Sequence, residues 1–306
     1  MNNFKKIGLT ALAGSLVATS VYAGEMSVAG SASWRISNHA GTDGGKTMAM
    51  GNQLTFTGGG EMDNGMNVAL SFILDQGDNE LVDDESSNAP FDSHSITVSS
   101  DAMGSIVFAG EGASSAQNTL DTTAAGDIWD NTFASYTKPA NADADKVLTW
   151  TLPSVMDGLG VVTSYNMSSA GKEASIGYAL TFTGVEGLSV SYGFGEVGGN
   201  TAGTTGAEVT TMKASFAFGP ITAAMSINDY DITGASNEEQ SSFNISYSVS
   251  DELSVSYGSE THETTDQGYD EEFSQISVSY TTGGLTASIR ETDAENVGGS
   301  GREQSQ

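Results

Sequence analysis

The chain has no cysteine in its 306 residues, which excludes a disulfide framework and any thiolate metal site. Only 10 lysines and arginines stand against 39 aspartates and glutamates, so the basic patch that nucleic-acid binding requires is missing. Proline is scarce at 4 residues, while glycine is plentiful at 38 and, with serine, serves turns and crowded strand faces. Long apolar runs are also lacking. Beyond the N-terminal segment no stretch approaches the roughly 20 apolar residues that a bilayer-spanning helix needs. At 38% hydrophobic residues the composition is unlike that of a helical membrane protein. For a chain in contact with lipid, these absences leave the closed β-barrel, the other structure that satisfies every backbone group internally.

What is present is alternation. Phe243, Ile245, Tyr247 and Val249 are apolar, while Asn244, Ser246 and Ser248 between them are small and polar. After Ser250-Asp251-Glu252 the rule resumes with Leu253, Val255 and Tyr257, then with Ile276, Val278 and Tyr280, then with Leu285, Ala287 and Ile289. A strict period of two predicts strands with one apolar and one polar face. The polar positions are mostly Ser, Thr, Asn and Gly in place of the Lys and Glu of a solvated surface, and the apolar face ends in aromatics. That pattern fits an aqueous lumen lined by small polar groups, with a lipid-facing exterior edged by Tyr and Phe. On this reading Trp34, Tyr178, Tyr192, Tyr247, Tyr257 and Tyr280 are girdle residues at the membrane interfaces.

Taken in order, the same alternation predicts fifteen strands, from 25–37 through 285–290, and Arg302–Gln306 reads as the start of a sixteenth, cut short. The connections alternate in length. Asp63–Gly65, Asp101–Gly104, Pro153–Gly158, Gly184–Gly187, Gly219–Pro220, Ser250–Glu252 and Thr282–Gly284 are tight, whereas the intervening loops are longer, polar and acidic. Short turns on one side and long loops on the other are the layout of an outer-membrane barrel.

The N-terminus reads as an export address. Lys5 and Lys6 precede an apolar segment, Ile7 to Thr19, and Val21-Tyr22-Ala23 is a cleavage site with small residues flanking one larger one. This predicts a signal peptide over 1–23 and a mature chain from Gly24. Without Lys5 and Lys6, eight basic residues face 39 acidic ones, a formal charge of −31. In a channel such acidity biases passage toward cations.

Over the whole mature chain this pattern resembles the Gram-negative general porins, most closely their alphaproteobacterial branch. The resemblance rests on the signal peptide, the sixteen-strand count, the short turns and a single long third loop, about 112–145, after strand five. It implies a 16-stranded antiparallel transmembrane β-barrel in the outer membrane, assembled as a homotrimer, with a water-filled channel for small hydrophilic solutes and ions. It also implies that the third loop folds inward and sets acidic side chains opposite basic ones on the wall. The family ends its last strand on an aromatic; this chain stops at Gln306, and a continuation of one strand is expected.

The candidates follow from position. Glu111 lies just before the third loop, and Asp121, Asp127 and Asp130 lie within it, as the acidic side of the constriction. Arg35, Lys213 and Arg290 fall on the polar phase of their strands, and Arg302 enters the last strand, as the basic wall. Asp78, Glu80, Asp83 and Asp84 form a loop of hard oxygen ligands that calcium could bridge; their spacing is not that of an EF-hand, and a solvated face is the more usual explanation of such a loop. Gly193-Phe194-Gly195-Glu196-Val197-Gly198 matches G-x-G-x-x-G but opens into more glycine instead of a helix, so it is a glycine-rich segment and not a nucleotide site. His39, His94 and His262 complete no Ser/His/Asp arrangement, and no enzymatic activity or other cofactor is expected. The rival readings are a substrate-selective porin and an adhesin or structural barrel whose loops bind partners.

Overall fold

The computed structural model describes residues 25–39, 45–75, 93–111, 114–126, 128, 146–167, 173–198, 206–232, 237–265, 268–283, 285–297 and 304–305. The chain divides into two compact units, Met1–Ala113 and Ser114–Gln306. In the first unit β1 (Glu25–His39), β2 (Gly45–Glu61), β3 (Asn67–Asp75), β4 (Ser93–Ser100) and β5 (Gly104–Glu111) pair antiparallel, each with the next. The strands β1 and β2 exceed their sequence-predicted lengths because fifteen consecutive residue pairs, Glu25↔Gly59 through His39↔Gly45, stay in register. Their polar loop is correspondingly shorter. A register shift between His94 and Ser95 interrupts the pairing of β4 with β5.

The second unit is a longer meander. Its strands are β6 (Val147–Thr151), β7 (Leu159–Asn166), β8 (Ser175–Phe182), β9 (Leu188–Val197), β10 (Ala207–Phe218), β11 (Ile221–Ile232), β12 (Glu238–Ser248), β13 (Leu253–Thr264), β14 (Glu271–Thr282), β15 (Leu285–Glu295) and β16 (Gln304–Ser305). Every neighbouring pair is antiparallel. The turns have simple chemical causes. At Asp63–Gly65 the Asn64 side chain accepts the Met66 N–H at 3.1 Å, and Gly65 takes a φ of +80° that a side chain would oppose. Ser250–Glu252 has no glycine, and its Ser250 hydroxyl instead accepts the N–H groups of Glu252 and Leu253, each at 3.2 Å.

Because side chains alternate along a strand, register sorts them into rows across the sheet. One apolar row joins Ile245, Tyr257 and Ile276; a polar row joins Ser246, Ser256, Ser277 and Arg290. The burial of the two faces is the reverse of a soluble protein's. Phe218 is 75% exposed and Ile289 77%, while on the polar face Thr211 is 0% and Gln240 1% exposed. An apolar surface of this extent needs a non-aqueous neighbour. Among the described residues no helix is long and apolar enough to cross a membrane.

Candidate functional site

The polar face of the second unit is covered by the segment that follows β5. Its first described stretch, 114–126, lies along the strands from β7 to β13 and is fastened at every step. A short 3-10 turn, Gln117–Thr119, starts it, with the Ser115 hydroxyl accepting the Asn118 N–H at 3.1 Å. The Ala116 N–H donates to the Ser164 hydroxyl on β7 at 2.7 Å, and the Gln117 side-chain amide donates to Thr211 on β10 at 2.7 Å. Thr211 in turn donates to the Asn228 side-chain carbonyl on β11.

Four polar anchors follow on successive strands. Lys213 on β10 forms an ion pair with Asp121 and also donates to the Thr123 carbonyl at 2.7 Å. Ser226 on β11 donates to the Thr122 carbonyl at 2.9 Å, and Ser242 on β12 accepts the Ala124 N–H. Glu260 on β13, 2% exposed, accepts the Thr123 hydroxyl with one carboxylate oxygen and the Ile128 N–H, at 3.0 Å, with the other. These residues occupy one register row, Lys213↔Ser226↔Ser242↔Glu260, so the segment follows the hydrogen-bonding direction of the sheet. Glu260 grips the segment at two points from a site closed to water; when ionised, such an acceptor contributes about 1.5–3 kcal/mol per hydrogen bond, against about 1 for neutral pairs. Past it the segment ends in an apolar contact: Ile128, fully buried, packs with Phe273, Ala294 and Val297, and Ala125 lies beside them.

The next polar row holds a buried acid–histidine group. His262 lies with one ring nitrogen 3.5 Å from a Glu271 oxygen and the other 4.0 Å from a Glu238 oxygen.

A buried hydroxyl- and carboxylate-lined inner face, an open apolar outer face and an inserted loop after the fifth strand together describe a membrane channel wall. The profile of Gram-negative porins matches residues 8–306. The chain belongs to that family. Its fold is similar to those of the anion-selective porin from Comamonas acidovorans (12% identity, TM-score 0.62, covering 92% of this chain and 97% of that one), a variant of the Rh. blastica porin (12%, 0.61, 92% and 96%) and OmpT of Vibrio cholerae (13%, 0.52, 88% and 85%). At such identities the likeness shows the fold alone. Among curated proteins none matches the chain. The fold is the antiparallel β-barrel of porins, with sixteen strands. The porin's apolar face is its transmembrane exterior, its polar face lines the lumen, and its setting is the outer membrane of a Gram-negative bacterium.

Of the sequence-predicted residues, the structure brings Asp121 and Lys213 into direct contact, so this wall lysine holds the loop instead of facing it across water. Arg290 is on the lumen phase of β15, exposed, opposite Ser277, and makes no ion pair among the described residues. The backbone of Arg35 pairs with Ala49 and that of Glu111 with His94; their side chains lie outside the described residues. Asp127, Asp130, Arg302 and the expected signal peptide also lie outside them, as do the calcium candidates Asp78, Glu80, Asp83 and Asp84. Among the described residues no group of acids and histidines is arranged to hold a metal.

Sequence reasoning missed Glu260, Ser164, Thr211, Ser226 and Ser242. One signal was there: the lumen phase of β13 runs through Ser254, Ser256 and Gly258 before it reaches Glu260, a large charged residue.

Proposed function

We propose that the protein assembles as a homotrimer and passes small hydrophilic solutes and ions by passive diffusion, with a preference for cations set where the third loop lies. The observation that carries this reading is the charge of the wall beside the loop. The strands β12, β13 and β14 contain no lysine or arginine, and their lumen phase bears Glu238, Glu260 and Glu271. On β10, Lys213 is already paired with Asp121. A cation therefore passes a wall whose carboxylates act through a field screened less in a narrow lumen than on an open surface. The acidic excess of the whole chain, −29 with the N-terminal segment included, acts in the same direction. Assembly as a trimer is supported by the family resemblance.

The test is the zero-current potential of single channels in a potassium chloride gradient. The wild type should show cation preference, and replacing Asp121, Asp127 and Asp130 together by Asn should move the potential toward anions. Neutralising Asp78–Glu85 should move it less, because an outer loop in bulk electrolyte is screened within about 8–10 Å. An anion-selective wild type would overturn the charge argument; absence of any conductance step would favour the adhesin or structural barrel.

A further inference from the structure

The third loop lies close to the wall because the wall lacks side chains at chosen points. Gly177 on β8, Gly193 on β9 and Gly258 on β13 are all on the lumen phase, and all are buried. A Cβ placed on Gly177 would lie 3.4 Å from the backbone nitrogens of both Ala116 and Gln117, and 2.6 Å from the Ser164 hydroxyl that holds Ala116. On Gly193 it would lie 2.7 Å from Leu120 Cδ1 and 3.5 Å from Gln117 Cα. On Gly258 it would lie 2.9 Å from Ala125 Cβ and 3.3 Å from Ile128 Cδ1. Two notches thus receive the loop, one under Ala116–Leu120 and one under Ala125–Ile128, with the row from Lys213 to Glu260 fastening the stretch between them. Glycine within a strand otherwise weakens it, and a close backbone approach is the usual reason for its presence.

We propose that Gly193 and Gly258 are positioning residues of the channel: they set how far the third loop stands from the wall, and so the cross-section left open beside it. This rests on the reading that the third loop narrows the channel. The two sites differ in stiffness. At Gly193 the nearest atom is the end of a leucine side chain, which turns aside for a single methyl; a larger group meets Gln117 Cα. At Gly258 the nearest atom is Ala125 Cβ, one bond from the loop backbone, so even alanine moves the loop. The same geometry accounts for the first glycine of the G-x-G-x-x-G segment: Gly193 is a seat for Leu120 and Gln117.

Both glycines are covered, so added volume there does not itself obstruct the water path. Any change in current has to be transmitted by the loop. The experiment measures single-channel conductance for Gly258→Ala, Gly258→Val, Gly193→Ala and Gly193→Val. Each is made in the full chain and again in a chain whose residues 116–128 are replaced by a short Gly-Ser linker. Ser256→Val, on the same face of β13 next along from Gly258, controls for volume. Folding is followed by β-sheet circular dichroism, and Gly258→Ala decides should the valine variant not fold. Conductance should fall in the order Gly258→Val, Gly258→Ala, wild type; Gly193→Val should lower it, and Gly193→Ala should leave it near wild type. All these effects should disappear in the loop-replaced chain. Equal conductance of Gly258→Ala and wild type overturns the proposal, as does an equal fall with and without the loop, or an equal fall from Ser256→Val. If loop replacement alone leaves the conductance unchanged, the narrowing role of the loop itself is wrong. That outcome is distinct from a failure of the glycines.

Discussion

Replacing Glu260 by alanine should release the third loop while leaving the strands paired. In the folded protein this carboxylate accepts two hydrogen bonds from the loop, from the Thr123 hydroxyl and the Ile128 N–H, and it is 2% exposed. At the lower end of the range for an ionised acceptor, about 1.5 kcal/mol each, their loss weakens seating by about 3 kcal/mol. Since 1.36 kcal/mol is a factor of ten, the equilibrium between seated and lifted loop shifts by about two powers of ten. Hydrogen-exchange mass spectrometry on a peptide covering 120–128 reads this directly: protection at Ile128 should drop about a hundredfold, while peptides from β13 keep theirs. Glu260→Gln is the informative intermediate. Its amide oxygen still accepts one loop donor without the charge, so about half of the seating energy, and a roughly tenfold loss of protection, is expected. Wild-type exchange at Ile128 in Glu260→Ala would refute the assignment of Glu260 as an anchor of the loop.

Two further outcomes follow from the loop contacts. Lys213→Met leaves Asp121 without its cation and should move the zero-current potential toward cations, with the stability cost below about 1 kcal/mol because the Asp121 side chain is 61% exposed. Ile128→Ala empties the apolar contact with Phe273, Ala294 and Val297 and should cost the loop about 2 kcal/mol, seen as faster loop exchange without a change in the thermal transition of the barrel.

The sheet was legible in the sequence because strand pairing with one lipid-facing side imposes a period of two that nothing else in the chain competes with. Phe243 to Tyr247, Leu253 to Tyr257 and Ile276 to Tyr280 show it plainly, and their register in the sheet is the one that parity requires. The lumen positions of Lys213 and Arg290 came from the same rule. The seat of the loop was not legible. Its bonds join residues far apart in sequence, such as Thr123 with Ser242 and Ile128 with Glu260, and serines at these sites look like any other lumen serine. Nor does the sequence distinguish Gly193 and Gly258 from turn glycines, since what makes them special is a backbone lying over them. Asp121, Asp127 and Asp130 were equal on paper; of the three, Asp121 is the one among the described residues, and it contacts Lys213.

The row that fastens the loop also orders the events of assembly. Ile128 waits for a carboxylate 132 positions further along the chain, and that carboxylate reaches the row only when β13 has come into register with β12. Closing a segment of that length is an entropic cost recovered only after the intervening strands have paired. The loop therefore settles late, onto a wall already built. On the proposal that the loop narrows the channel, the nascent channel is wider than the mature one until then, and its final bore is fixed by one of the last steps of folding.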